Sequence, residues 1–81
     1  MKGLNEFCGF LSEIDDPKEM KRILRSLLTP SELEELPTRL QILKLLQKGV
    51  SQREIASKLG VGIATVTRGA RVLKESDFPE L

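Results

Sequence analysis

The chain has 81 residues, of which 40% are hydrophobic and 31% are charged, and its formal net charge is +1. This composition is typical of one globular domain, although a single chain of this length buries only about 60–65% of its unfolded surface. Histidine is absent and cysteine occurs once, which argues against a metal site, a disulfide or a catalytic nucleophile activated by histidine. We expect neither an enzyme nor a metal-binding protein.

The N-terminal segment is predicted to be an amphipathic helix. Its apolar residues recur at helical spacing, at Leu4, Phe7, Cys8, Leu11 and Ile14. Polar residues interrupt the run, so we expect no signal peptide, no membrane span and no membrane partner, and we interpret the protein as cytoplasmic. Cys8 is interpreted as a small core residue rather than a reactive thiol, because the sequence has no histidine or second cysteine to activate it.

Two capping signals predict the next two helices. Asp16 is followed by a proline and then by Glu19, and Thr29 is followed by a proline and then by Glu32. A capping residue, a proline at the first helical position and an acidic residue that closes a capping box are typical of a helix N-terminus. We therefore expect one helix to begin after Asp16 and another after Thr29.

Pro37 lies within the third predicted helix. A proline there lacks the amide that would bond the carbonyl four residues earlier, and its ring clashes with that carbonyl, at a cost of about 3 kcal/mol. We expect a kink, or a break into helices 30–36 and 38–48. Gly49 follows and is expected to end the helix.

Residues 51–74 predict a helix, a glycine-containing turn and a second helix. Ser51 and Glu54 have the spacing of a capping box, and Gly60 stands where the first helix must end in a positive φ. Val66 is expected to point inward from the second helix. The spacing of small and apolar residues matches a DNA-binding helix-turn-helix, but a purely structural helical corner would need similar residues.

The charge is unevenly distributed along the chain. Residues 39–74 contain eight basic residues and one acidic residue, a net charge of +7, whereas residues 1–38 and residues 75–81 each have a net charge of −3. A basic half on a nearly neutral chain is the distribution expected of a nucleic-acid-binding protein. A solvated cationic face would have the same composition, and it is the coincidence with the helix-turn-helix pattern that favours double-stranded DNA as the partner.

The sequence contains no strand pattern and no internal repeat. We therefore predict an all-α fold of five or six short helices in a single domain, residues 1–81. Within it we expect a helical dimerisation arm (1–50), a helix-turn-helix reading head (51–74) and a short tail (75–81). The apolar stripes of the arm exceed what so small a reading head needs, so we expect a homodimer that presents two reading heads.

The predicted second helix of the reading head is about 18 Å long, enough to lie across a major groove. The residues expected to contact DNA from this head are Arg53, Lys58, Ile63, Ala64, Thr65, Thr67 and Arg71. Ile63 and Ala64 can touch thymine methyl groups, and the threonine hydroxyls can bond bases directly or through water. Arg53 suits a guanine edge or a phosphate, and Lys58 and Arg71 suit phosphates.

Four segments of the sequence resemble the tryptophan (Trp) repressor family over roughly residues 27–74. They are LTPSELEEL, TRLQILKLLQKG, SQREIASKLGVGIATVTRGA and VLK. The resemblance implies an intertwined all-helical dimer that binds a palindromic operator and represses transcription. It also implies that Gln52 and Arg53 begin the first helix of the reading head near the DNA backbone and a base.

The resemblance further implies L-tryptophan as a corepressor, held between the reading head and the dimer core. The matching positions are Thr29, Arg39, Thr65, Arg68 and Gly69. Two guanidinium groups can stack on an indole, and Arg68 can pair with a carboxylate. A glycine inside a helix costs about 1 kcal/mol relative to alanine, so Gly69 indicates either room for a ring or close helix packing. Val72 replaces a serine that helps to hold the ligand in the family, so the residues leave open whether any ligand binds.

Two other functions fit the same residues. A helical dimer that binds another protein, without specific DNA binding, would use the apolar arm and leave the basic half as a solvated surface. A non-specific nucleoid protein would bind random duplexes nearly as tightly as any selected site. Selecting a preferred duplex from random DNA separates both alternatives from a sequence-specific regulator.

Overall fold

The computed structural model describes residues 2–81 and contains no strand within them. Its five helices are α1 (Leu4–Ser12), α2 (Pro17–Leu27), α3 (Pro30–Gln47), α4 (Gln52–Leu59) and α5 (Ile63–Glu75). The prediction of an all-α fold with five or six short helices is confirmed. The chain divides into two compact units, one reaching to Leu33 and the other running from Glu34 to Leu81. The assignment of an arm, a reading head and a tail to one domain stays a prediction.

In the first unit, α2 begins at the predicted cap. The Asp16 carboxylate accepts a hydrogen bond from the Lys18 amide at 3.1 Å, and Pro17 occupies the first helical position. The predicted closure of a capping box by Glu19 is wrong, because its carboxylate pairs with Arg22 one turn further along the same helix. The cap therefore depends on Asp16 alone.

Most apolar side chains of α1 are exposed to solvent, and Leu11 is half-buried. Leu4 is 46% exposed, Phe10 is 50% exposed, and α1 has no buried residue. Cys8 is also exposed, so its predicted place in a core is wrong for the single chain. The helical spacing predicted an apolar stripe on α1, but the sequence of one helix does not specify which other surface, if any, packs against that stripe.

The N-terminus of α3 forms a complete capping box, as predicted. The Thr29 amide donates to the Glu32 carboxylate at 2.9 Å, and the Glu32 amide donates to the Thr29 hydroxyl at 3.2 Å. The hydrogen bond from the Thr29 amide stabilises the ionised carboxylate, so the pKa of Glu32 lies below its ordinary value. Thr29 and Glu32 thus satisfy two donors that would otherwise lack partners at the helix end.

Pro37 lies inside α3 without dividing it, because the helix is continuous from Pro30 to Gln47. Of the two predicted outcomes, a kink or a break into 30–36 and 38–48, the break is wrong. Proline removes one hydrogen bond, but the neighbouring turns keep theirs, and the Thr38 hydroxyl donates an additional bond to the Glu34 carbonyl at 3.3 Å. The complete cap at Thr29 stabilises the same helix upstream of the proline.

The second unit has its core where three helices meet. Ile42 of α3, Ile55 of α4 and Val66 of α5 are its buried residues, each at most 1% exposed. A shell of half-buried apolar side chains surrounds them, namely Leu45, Leu46, Val50, Ala56, Leu59 and Val61. One buried aliphatic residue from each helix therefore fixes which faces of α4 and α5 remain at the surface.

The residues after α5 return to the end of α3. The Gln47 side-chain amide donates to the Pro79 carbonyl at 3.0 Å, and its oxygen accepts the Leu81 amide at 3.0 Å. One side chain thus pairs with two main-chain groups of the tail. Phe78, which lies in the sequence between α5 and Pro79, is half-buried. None of the helices within residues 2–81 has the length and apolarity that crossing a membrane requires.

Acidification should weaken the start of α3. Because the folded-state pKa of Glu32 is lowered from 4.5, its stabilising effect is complete above that value and is lost as the pH falls through the lower folded-state pKa. Thermal unfolding followed by circular dichroism at about pH 7 and about pH 3 should show a larger fall in Tm for wild type than for Glu32→Gln.

The matched control is Glu34→Gln, which neutralises a neighbouring exposed carboxylate whose side chain makes no hydrogen bond within residues 2–81. It should keep the pH dependence of the wild type. Equal falls in Tm for wild type and Glu32→Gln would contradict a stabilising role for the ionised carboxylate.

Candidate nucleic-acid interface

The first helix of the predicted reading head begins at the predicted cap. The Ser51 hydroxyl accepts a hydrogen bond from the Glu54 amide at 3.2 Å. The reciprocal bond, in which the Ser51 amide would donate to the Glu54 carboxylate, is absent within residues 2–81, so the capping box is half formed. Ile55 is buried in the core, and the exposed side of α4 carries Arg53 and Lys58.

A glycine turn of three residues joins α4 to α5. Gly60 has a φ of 67°, in the left-handed region that glycine adopts without a steric penalty, as the sequence predicted. The Val61 amide then donates back to the Ala56 carbonyl at 3.1 Å, the long bond of a Schellman motif. Val61 also packs against the core, so the turn is fixed by both a hydrogen bond and an apolar contact.

The start of α5 lies at the surface. Val66 is fully buried, whereas Ile63, Ala64 and Thr65 are exposed, with 52% of Ile63 accessible to solvent. Val66 points inward as predicted, and Ala64 and Thr65 lie on other faces of the helix. Ile63, three residues before Val66, shares the face of Val66 and is exposed as the first residue of α5. Because Ile63 is apolar and exposed at the helix start, it is available for contact with another molecule.

Within the described part of the chain, residues 2–81, the cations of this segment form no ion pairs with acidic side chains. Arg53, Lys58, Arg68 and Arg71 are exposed. Within residues 2–81 the ion pairs are confined to α2 and α3, where they join Arg22 to Glu19 and Arg39 to Glu35. The exposed α5 start is therefore accompanied by positive charges that are free to meet an anion.

A hydrogen bond that the sequence did not predict links the two helices of this segment. The Thr67 hydroxyl donates to the Gln52 side-chain oxygen at 2.7 Å, and it also lies 3.0 Å from the Ile63 carbonyl. Gln52 is half-buried and Thr67 is exposed. The two residues are fifteen positions apart, and only the closed turn at Gly60 brings them together. Helical periodicity alone gives no signal for such a contact.

The residues that the family resemblance connects with tryptophan are distributed over both units. Thr29 lies in the first unit and caps α3. Arg39, Arg68 and Gly69 lie in the second unit, where Arg39 pairs with Glu35 at 3.2 Å. Arg68 and Thr65 are exposed on α5. Within residues 2–81, no group of three His, Cys, Asp or Glu side chains could hold a metal ion.

Gly69 is explained by close packing of α5 on α3. A β-carbon at this position would lie 2.8 Å from the Ile42 Cγ2 methyl, and 3.5 Å and 3.7 Å from methyl groups of Leu46 and Leu43. Carbon atoms at van der Waals contact are about 3.5–4.0 Å apart, so a side chain would collide with Ile42. Of the two explanations that the sequence left open for this glycine, the structure supports helix packing.

Together these features define a small all-α protein with an exposed, cation-flanked helix start beside a glycine turn. The family model described as Trp repressor protein matches residues 2–79, and the chain belongs to this family. The resemblance inferred from the sequence is confirmed, and membership identifies the chain as a repressor-like regulator.

Curated relatives agree with this assignment. A Trp operon repressor homolog of Xylella fastidiosa (strain M23) is 45% identical over 71 residues, which cover 86% of this chain and 77% of the relative. Homologs of the same name from Vibrio parahaemolyticus and Vibrio campbellii are 47% and 50% identical, over 80% and 73% of this chain. The match spans 64% and 60% of those two relatives.

Substituting Gly69→Ala should destabilise the second unit. Overpacking a core by a methyl group costs about 1–3 kcal/mol, while alanine in place of a helical glycine recovers about 1 kcal/mol. The collision involves a methyl group on the β-carbon of buried Ile42, which no distal rotation can move away, so we expect the cost to exceed the gain. The Tm, measured by circular dichroism, should fall.

Gly9→Ala is the matched control, because a β-carbon at Gly9 in α1 would meet nothing within 4 Å. It should raise the Tm through helix propensity alone. A rise in Tm for both variants would show that α5 has room at Gly69, and would restore the explanation that this glycine makes space for a ring.

Proposed function

We propose that the chain binds a palindromic operator in double-stranded DNA as a homodimer and represses transcription in the cytoplasm. The observation that carries the proposal is the exposed start of α5, where Ile63, Ala64 and Thr65 face solvent. The cations of α4 and α5 that accompany it form no ion pairs among residues 2–81. Membership of the Trp repressor family supports the same function. A merely structural helical corner would not need an exposed Ile63 in its leading turn.

The recognition surface in this proposal is the leading turn of α5. The helix has 13 residues and is about 20 Å long, which suits a major groove. Ile63 and Ala64 contact thymine methyl groups, and the Thr65 hydroxyl bonds a base directly or through an ordered water. Val66, in the same helix, is buried against the core. Because this contact fixes the position of α5, it also limits how far the leading turn can enter the groove.

The cations of α4 and α5 serve a second role, which is to hold the head on the DNA backbone. Arg53 lies in the first turn of α4 and contacts a guanine edge or a phosphate. Lys58 and Arg71 contact phosphates, which position the head without reading sequence. With three such contacts per subunit, a dimer neutralises about six phosphates, and the log–log salt slope of binding is about −5.

The first experiment is selection of a preferred duplex from random DNA, followed by affinity measurements across salt concentrations. Arg53→Ala combined with Thr65→Ala should lose about 1–3 kcal/mol per half-site and relax the sequence preference. Lys58→Ala should weaken all duplexes alike and reduce the salt slope by about 2.

Lys21→Ala is the charge-matched control, because it removes one exposed cation outside residues 51–74, and it should leave sequence preference unchanged. Equal affinity for selected and random duplexes would replace the proposal with non-specific DNA binding. Unaltered DNA binding by the double variant, with loss of a protein partner, would favour a protein-interaction module.

The homodimer is the part of the proposal that concerns α1. Its exposed apolar residues, Leu4, Phe7 and Phe10, form a surface that a second copy would bury, and a two-fold dimer matches two half-sites about one DNA turn apart. Sedimentation at micromolar concentration should give about twice the chain mass of 9.1 kDa.

Phe10→Asp should shift the protein towards monomer, because a carboxylate cannot be buried in an apolar interface without a partner. Asn5→Asp places the same charge at a polar position of α1 and should leave the dimer intact. A monomer mass for the wild-type protein would remove the dimer from the proposal.

L-tryptophan is the corepressor that we include in the proposal. Family membership and the exposed guanidinium group of Arg68 support it, whereas Gly69 no longer does, because α3 fills the space beside it. Arg68 would pair with the ligand carboxylate, and Arg39 would stack on the indole after leaving Glu35. The bound amino acid would supply an aromatic ring and two charged groups.

Isothermal titration calorimetry with L-tryptophan tests this part separately. Wild type should give saturable heat at up to about millimolar ligand, and Arg68→Ala should lose it because the carboxylate then has no cation to bind. Arg71→Ala, on the same helix but outside the predicted ligand set, should bind as the wild type does. No heat from wild type at millimolar ligand would leave a repressor that acts without tryptophan.

A further inference from the structure

The hydrogen bond between α4 and α5 constrains how Thr67 can meet DNA. Its hydroxyl lies 2.7 Å from the Gln52 oxygen and 3.0 Å from the Ile63 carbonyl, and both of these atoms are acceptors. A hydroxyl group has one proton to donate. A phosphate oxygen can only accept, so Thr67 cannot donate to a phosphate while its proton is committed within the protein.

The same bond fixes the orientation of the Gln52 amide. A separation of 2.7 Å is typical of O–H···O bonds, whereas N–H···O bonds are usually about 2.9–3.0 Å long. The amide oxygen therefore faces Thr67, and the NH₂ group, with its two donors, faces away from it. Gln52 is the first residue of α4 and directly precedes exposed Arg53. Its two donors, which make no hydrogen bond within residues 2–81, are thus located next to a cation at a helix start.

We propose that Thr67 is a positioning residue, which holds the Gln52 amide so that its NH₂ group donates to a DNA phosphate. The inference rests on the proposed function, since it assigns a role within the same DNA-binding surface. It also changes the role of Thr67, which the sequence placed among the residues that contact DNA directly. Thr67 affects DNA affinity through Gln52 and makes no direct hydrogen bond of its own.

A phosphate is favoured over a base edge as the partner of Gln52. In helix-turn-helix complexes the first helix crosses the DNA backbone, while the second enters the major groove. Gln52 belongs to α4, and the exposed leading turn that suits the groove belongs to α5. A donor-only group beside Arg53 complements an acceptor-only anion, and the first amides of α4 add a positive partial charge there.

A double-mutant cycle on the selected duplex tests the inference. Gln52→Ala should weaken binding about tenfold or more, because a hydrogen bond to a charged phosphate is lost in each half-site. Thr67→Val keeps the shape of the side chain but loses the proton, and should weaken binding less than Gln52→Ala does. Thr67→Ser keeps a hydroxyl and should stay close to wild type. The double variant should bind no more weakly than Gln52→Ala alone, because Thr67 has nothing left to position.

Duplexes in which single phosphates are replaced by neutral methylphosphonates provide a readout that general destabilisation would not change. One replacement in each half-site should abolish the difference between wild type and Gln52→Ala. The same replacement should abolish the effect of Thr67→Val. The Gln52→Glu side chain can still accept the Thr67 proton, but its negative charge repels the phosphate. This variant should therefore bind DNA more weakly than Gln52→Ala does. Thermal unfolding of each variant checks that the fold is retained.

Two results would overturn the inference while leaving the proposed function intact. Losses from Thr67→Val and Gln52→Ala that multiply in the double variant would mean that Thr67 contacts DNA independently. A Gln52→Ala protein with wild-type affinity would mean that the oriented amide has no phosphate to meet. Failure of the wild-type protein to prefer any duplex would instead overturn the proposed function, and this inference with it.

Discussion

The contact among Ile42, Ile55 and Val66 is the constraint on which the rest of the second unit depends. Each of these residues comes from a different helix, and each is almost completely removed from solvent. Because α3, α4 and α5 each contribute one buried residue to this contact, it sets how each helix is rotated about its own axis. The surface positions of Thr65 and of the α4–α5 cations follow from that rotation rather than from any local preference of those residues.

The glycines determine how closely these helices can approach. At Gly60 the backbone needs a positive φ, and the turn that results is three residues long and held by the Val61 amide. At Gly69 the backbone conformation is ordinary, and the requirement is for space beside the Ile42 methyl. The same residue type therefore meets two unrelated needs, one conformational and one steric, and together they place α5 against both α3 and α4.

The sequence predicted the features that depend on local chemistry. The caps at Asp16, Thr29 and Ser51, the turn at Gly60 and the inward position of Val66 all involve residues within about one helical turn of each other. The sequence left a kink or a break at Pro37 open, because the effect of one lost hydrogen bond depends on the cooperativity of the whole helix, and α3 is continuous there. The Thr67–Gln52 bond and the exposure of Cys8 depend on which surfaces meet, and periodicity does not specify that.

The side chain of Gln47 holds the tail through main-chain atoms only. Its donor binds the carbonyl of Pro79 and its acceptor binds the amide of Leu81, so neither bond depends on what side chain stands at those positions. Proline is tolerated at 79 because only its carbonyl is used, and at 81 any residue except proline would serve. The tail can therefore change its charge and its bulk through mutation while it stays attached to α3, and Gln47 is the residue that cannot change.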